Sequence, residues 1–145
     1  ELSNEIKVYS YDGSGKNPSF ELLQKVPTLN DYHSATSAAC ALRFSKDGTK
    51  VLCTNAGDNT AGLFNVDLKT GLLEKICILP VSGDYPKAID FFPDNRHIMS
   101  LNHESNTITI FEVHYDKKYF TMKGHPISIE TPNCILVSEV YGEHC

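Results

Sequence analysis

Tryptophan is absent from this sequence, and the longest apolar stretches, such as Ile76 to Val81, end after a handful of residues. A helix that crosses a bilayer needs about 20 consecutive apolar residues, so no such span is expected. Clustered Lys and Arg are missing too: 13 basic residues stand against 18 acidic ones, the formal charge is -5, and no basic stripe is present. Phosphate backbones are bound by clustered cations, which argues against a nucleic acid as partner. The five cysteines, Cys40, Cys53, Cys77, Cys134 and Cys145, include no C-x-x-C pair. Neither a zinc ribbon nor a redox motif can be read from them, and the odd number fits a reducing compartment. The first residues lack the charged-then-apolar pattern of a secretory leader, so a cytoplasmic protein with no membrane partner is the expectation.

Standard catalytic signatures are missing as well. There is no G-x-S-x-G elbow, no Walker loop, no dinucleotide fingerprint and no H-E-x-x-H. The six histidines, His33, His97, His103, His114, His125 and His144, show no zinc-ligand spacing, and no metal or cofactor is expected. What remains is an ordinary globular composition, 41% hydrophobic and 21% charged, in a chain of 145 residues. That length can build a hydrophobic core without disulfides, and the composition argues against disorder. Cys53 and Cys77 fall within apolar runs, where a thiol behaves as a small buried hydrophobe, whereas Cys145 is expected to be exposed.

The chain does contain a repeat, and it decides the fold. A shift of 47 residues lays Phe44-Ser-Lys-Asp-Gly-Thr-Lys-Val-Leu-Cys-Thr-Asn55 over Phe91-Phe-Pro-Asp-Asn-Arg-His-Ile-Met-Ser-Leu-Asn102. Phe64 then meets Phe111, and Val66 meets Val113. Within each copy the apolar segments are short, rich in Val, Ile, Phe and Leu, and separated by turn residues, which reads as strands with no helical period. Asp47-Gly48 and Asp94-Asn95 tolerate positive φ and close first-to-second hairpins, and Gly57-Asp58-Asn59 and Glu104-Ser105-Asn106 do the same between second and third strands. One copy predicts strands at Ala39 to Phe44, Lys50 to Thr54, Ala61 to Val66 and Leu73 to Leu79. The other predicts Lys87 to Phe92, His97 to Leu101, Thr107 to Val113 and Tyr119 to Met122.

Four antiparallel strands at this period make one blade of a β-propeller. The predicted class is all-β: a partial propeller of about three four-stranded antiparallel blades, two complete plus flanking strands. Residues 1–36 read as the end of one blade, with strands at Glu5 to Tyr11 and Phe20 to Val26. Residues 37–86 and 87–130 read as whole blades, and 131–145 as a final strand, Asn133 to Ser138, with a tail. Such a set cannot close a ring, so neighbours are expected to be missing.

Four stretches carry a family resemblance: Ser37-Ala-Ala39 leading to Ser45-Lys-Asp-Gly48, Ser82-Gly-Asp-Tyr-Pro-Lys87, Leu101-Asn-His-Glu-Ser-Asn-Thr107 and Thr131-Pro-Asn-Cys-Ile-Leu136. The chain resembles the C-terminal part of the bacterial lactonase family, seven-bladed propellers related to phosphogluconolactonase and fungal carboxymuconate cyclase. The resemblance implies a parent that hydrolyses a sugar lactone such as phosphogluconolactone. It also implies that the blades N-terminal to this chain are removed, and that this stretch alone is inactive. A carboxymuconate cyclase-like isomerase and a non-catalytic binding scaffold are the alternatives. Many members carry Arg where this chain has Ala56, an Arg associated with acidic substrates, and its loss weighs against phosphogluconolactone and slightly favours a scaffold.

In a propeller, the loops entering each first strand share one face with the turns between second and third strands. That brings the Thr28 to Ser37 and Val81 to Lys87 loops near the Ala56 to Asn59 and His103 to Asn106 turns. Lys87, after Tyr85-Pro86, is a candidate cation for the carboxylate or phosphate of a sugar acid, at a place where the family often has Arg; the alternative is a solvated channel lysine. His103 and Glu104 are candidates for general base and acid in lactone opening, although Glu-Ser-Asn-Thr also suits a plain turn. Tyr85 and His33 are further candidates for substrate binding. The partner is expected to be a small lactone or sugar acid.

Blades at open ends expose apolar faces and unpaired strand edges, which drive association. The isolated chain should therefore dimerise or aggregate in light scattering through blade faces or through strands such as Glu5 to Tyr11, and a monodisperse monomer would contradict this.

Overall fold

The computed structural model describes residues 2–34 and 36–138, and every regular element among them is a strand. The order is β1 (Glu5–Asp12), β2 (Ser19–Pro27), β3 (Ala38–Phe44), β4 (Lys50–Ala56), β5 (Thr60–Val66), β6 (Leu73–Pro80), β7 (Pro86–Phe91), β8 (His97–Asn102), β9 (Thr107–His114), β10 (Tyr119–Met122) and β11 (Ile127–Ser128). Three antiparallel sheets result: β1-β2, then β3-β4-β5-β6, then β7-β8-β9-β10 with β11 also on β9. The inner strands β3 and β7 lie alongside one another. This is the expected partial propeller, with strand limits within about two residues of those read from the repeat.

The repeat folds the same way twice because its turn residues answer the same conformational demand. Gly48 and Asn95 occupy equivalent positions in the first-to-second hairpins, with φ of 71° and 53°. Asp47 Oδ1 accepts from the Thr49 amide at 3.0 Å and the Ser45 hydroxyl at 2.7 Å. Asp94 Oδ1 likewise accepts from the Arg96 and His97 amides at 2.8 and 2.9 Å. The hydrogen bond from Ser45, with those from Thr49, holds the Asp47 carboxyl down to about 2.

Two apolar clusters hold the sheets face to face. The larger joins Leu52, Leu63 and Ile76 of the first four-stranded sheet to Ile89, Ile98 and Phe111 of the next. The smaller packs Val26 of β2 on Val51, Cys53 and Phe64. Each such side chain contributes about 1.5–3 kcal/mol on burial. Burial also pushes the Cys53 and Cys77 thiols up, to about 12 and about 11.

Buried polar groups differ between the copies. In the second sheet Ser100 donates to Asn102 Oδ1, Asn102 donates to Thr109, and Thr109 donates to the Val81 carbonyl at 2.8 Å. In the first sheet Cys53 and Gly62 stand where Ser100 and Thr109 would be. Asn55 itself donates to the Thr28 carbonyl at 2.7 Å, and its Oδ1 has no partner among the described residues.

Neighbouring sheets are also tied by one repeated asparagine. Asn4, Asn59 and Asn106 each precede a third strand and have φ between 49° and 57°. Their carbonyls accept from the amides of Thr28, Val81 and Ile129. Asn59 Oδ1 also accepts from the Tyr85 amide at 2.9 Å, and Asn106 Oδ1 from the Thr131 amide at 2.8 Å, while Asn4 Nδ2 donates to the Ser37 carbonyl at 3.0 Å.

Two details depart from expectation. The outer strand of the second unit is split into β10 and β11, both on β9, around Gly124 with φ of 72° and Pro126. Residues 132–138, expected as the strand Asn133 to Ser138, form no ladder. A strand needs a partner for its backbone groups, and here the segment is held by side chains instead, as where the Val137 amide donates to Asp90. The expected tail with Cys145 and His144 lies outside the described residues.

Asn59→Ala should cost about 2 kcal/mol in urea unfolding, combining the left-handed backbone and the lost hydrogen bonds. Asn59→Gly restores the backbone freedom and should cost about 1 kcal/mol. A cost near zero for Asn59→Gly would mean that the side-chain bonds contribute nothing.

Candidate active site at the starts of the inner strands

The repeated asparagine bond determines what meets at the starts of the inner strands. Tyr85 is left-handed, with φ of 57°, although it is bulky and precedes a proline. That geometry is disfavoured for both reasons and persists only when surrounding bonds impose it. The imposed bonds are visible: the Tyr85 amide donates to Asn59 Oδ1, and its carbonyl accepts from the His103 amide at 3.0 Å. Asp84 adds a second lock, accepting from Asn59 Nδ2 at 2.9 Å through its carboxylate while its amide donates to Ser105. Gly83 sits so close over Asn102 that a Cβ there would lie 2.3 Å from Asn102 Nδ2. Thr131, before Pro132, repeats the left-handed turn one unit later, with φ of 41°.

Because the two turns are equivalent, residues two places beyond the same asparagine bond face one another. Lys87 Nζ donates to Asn133 Oδ1 at 3.1 Å and lies 5.7 Å from the centre of the Tyr85 ring. Ala39, Cys40, Tyr85, Lys87 and Asn133 line an open cavity of about 400 Å³. The His103 ring tilts at 56° against Tyr85 with centres 6.4 Å apart. His103 Nδ1 is 3.2 Å from the Pro132 carbonyl oxygen. A carbonyl only accepts, so Nδ1 carries the proton and neutral His103 keeps its lone pair on Nε2.

Of the residues singled out from sequence, Tyr85 lies beside both Lys87 and His103, although His103 is not among the side chains lining the cavity. Two do not join them. Glu104 is exposed on the turn beyond His103, and its amide donates to the Asp84 carbonyl at 3.2 Å. His33 is exposed, with Nδ1 3.0 Å from the Ser34 carbonyl. Ala56 is buried, and its carbonyl accepts from the Ser37 hydroxyl. Asn133, Cys40 and the Pro132 carbonyl were not foreseen as parts of a site. The recurrence of Tyr85-Pro86-Lys87 as Thr131-Pro132-Asn133 was the available signal for the first and last of these.

A cavity of about 480 Å³ lies toward the opposite ends of the inner strands, lined by Arg43, Phe44, Asp90, Phe92 and Val137 among others. It is the larger of the two, yet the Asp90 carboxylate in it is already bonded to the Phe91 and Val137 amides. Among the described residues no group of three or more His, Cys, Asp or Glu is arranged to hold a metal ion, and no helix is long and apolar enough to cross a membrane.

The family model described as "Lactonase, 7-bladed beta-propeller" matches residues 1–137. The chain belongs to this lactonase family. A 6-phosphogluconolactonase of Bacillus subtilis is 24% identical over 135 residues, 93% of this chain and 38% of that protein. An uncharacterized Lactococcus lactis protein is 32% identical over 113 residues, 77% of this chain and 32% of its own. In fold, the periplasmic gluconolactonase of Pseudomonas aeruginosa superposes with a TM-score of 0.83 at 24% identity, over 92% of this chain and 36% of that one. A Lactobacillus plantarum protein superposes at 0.79 with 25% identity, over 90% of this chain and 38% of that one. The chain thus spans well under half the length of each of these four proteins.

Proposed function

We propose that the ring to which these blades belong hydrolyses a sugar lactone, and that Tyr85, Lys87 and His103 form part of its active site. The observation that carries the reading is an imidazole with Nδ1 fixed on the Pro132 carbonyl, beside a Tyr85 ring that also meets the Lys87 ammonium. The names of the Bacillus and Pseudomonas relatives support a sugar lactone as the substrate class.

In this mechanism His103 Nε2 takes a proton from water as the water oxygen bonds to the lactone acyl carbon. The oxyanion of the tetrahedral intermediate faces the Lys87 ammonium, which favours charge that develops only in the transition state. Collapse breaks the bond between the acyl carbon and the ring oxygen. That oxygen takes the proton back from His103, and the product is an open-chain hydroxy acid. Tyr85 offers its ring face to the sugar. The proposed location is the cytoplasm, because Cys40, Cys53, Cys77 and Cys134 are all free thiols.

The test is lactone turnover by the seven-bladed protein carrying these residues, with gluconolactone and 6-phosphogluconolactone compared. His103→Gln should lower kcat by about 100-fold or more, as loss of a general base does. Lys87→Ala should lower kcat/KM, and Glu104→Ala should leave both near wild type. If neither lactone is opened, the hydrolase reading falls and a binding propeller takes its place.

A further inference from the structure

We infer that Asn133 determines specificity: its neutral carboxamide aims the Lys87 ammonium without discharging it, leaving that charge for the carboxylate of a sugar acid. This rests on the reading of the cluster as a sugar-lactone site. The amide is oriented by bonds at both ends, since Asn133 Nδ2 donates to the Thr131 carbonyl at 3.3 Å while Oδ1 accepts from Lys87 at 3.1 Å. An ammonium has three donors, and only this one is directed to a described protein acceptor.

No carboxylate of the described residues forms an ion pair with Lys87. Acids of the same sheet and its entry loop do not pair with it, and Asp94 is held by the Arg96 amide and by His97. Asp84 accepts from Asn59 Nδ2, Asp90 accepts from the Phe91 and Val137 amides, and Glu104 is exposed on its turn. Among the side chains lining the cavity, Lys87 alone is charged, because Ala39, Cys40, Tyr85 and Asn133 are its companions. One ammonium beside one aromatic face suits a polyhydroxy monocarboxylate. A phosphate dianion is held better by several convergent donors. Hydrolysis of a lactone creates such a carboxylate at the acyl carbon, so the same contact that meets the oxyanion afterwards holds the product.

Asn133→Asp is nearly isosteric and sets a protein carboxylate against Lys87. Calorimetric titration of the seven-bladed protein with gluconate should give affinity at least about tenfold weaker in this variant, as expected when a charge-assisted bond is lost. Lys87→Met, which leaves Asn133 in place, should show the same loss, and Lys87→Arg should retain binding. Gluconate affinity unchanged in either Asn133→Asp or Lys87→Met would overturn the inference. So would absence of gluconate binding by the wild type, or inorganic phosphate bound through Lys87 as tightly as gluconate. Titration needs no turnover, so the two readings fail separately. Gluconate binding that depends on both residues, in a protein that opens no lactone, removes only the hydrolase reading; turnover with unchanged gluconate affinity in Asn133→Asp removes only this one.

Discussion

Asparagine in the left-handed conformation at the entry to each third strand ties one sheet to the next. Its carbonyl and its side chain are both engaged, in all three units present. Apolar packing between the sheets is non-directional and supplies most of the cohesion. Packing alone does not determine where a loop at the rim sits. The asparagine bond does so, because it grips the backbone at the point where the chain enters the next unit, and it thereby places Tyr85 and Thr131 in the same strained turn. Lys87 and Asn133 meet as a consequence of that equivalence.

Much of the fold was legible because its signals are local. Gly48 and Asn95, Asn59 and Asn106 each mark a turn whose backbone angle they can adopt at low cost, and the alternating apolar runs between them leave little choice but strands. The split between β10 and β11 was not foreseen, although Gly124 and Pro126 mark it. The strand expected at Asn133 to Ser138 has the right residues but no ladder partner. Pairing is a property of two segments, and a reading of one segment cannot supply it.

The site was only partly legible. Lys87, Tyr85 and His103 stand out as residue types at the mouth of a propeller, and Lys87 and His103 each lie beside Tyr85. The role proposed for His103 depends on a backbone carbonyl, that of Pro132, and carbonyls carry no signature in sequence. Asn133 reads as the first residue of a strand until its contact with Lys87 is known. Glu104 was paired with His103 by adjacency, but neighbours on a tight turn diverge, and it projects to solvent.

These features make the site a product of repetition with variation. Cys40 of β3, Lys87 of β7 and Asn133, in the segment that follows Pro132, line the cavity together, and one cation among them gives it its charge. The copies likewise satisfy the same interior carbonyl differently, through Thr109 in one and Asn55 in the other. The most direct test of the asparagine bond as organiser is amide hydrogen exchange read residue by residue. Tyr85 should be protected in the unaltered protein and released in Asn59→Gly with Thr131 unchanged, and Asn106→Gly should release Thr131 and spare Tyr85. A Tyr85 amide that exchanges as fast as an open loop in the unaltered protein, or that ignores Asn59→Gly, would contradict the account.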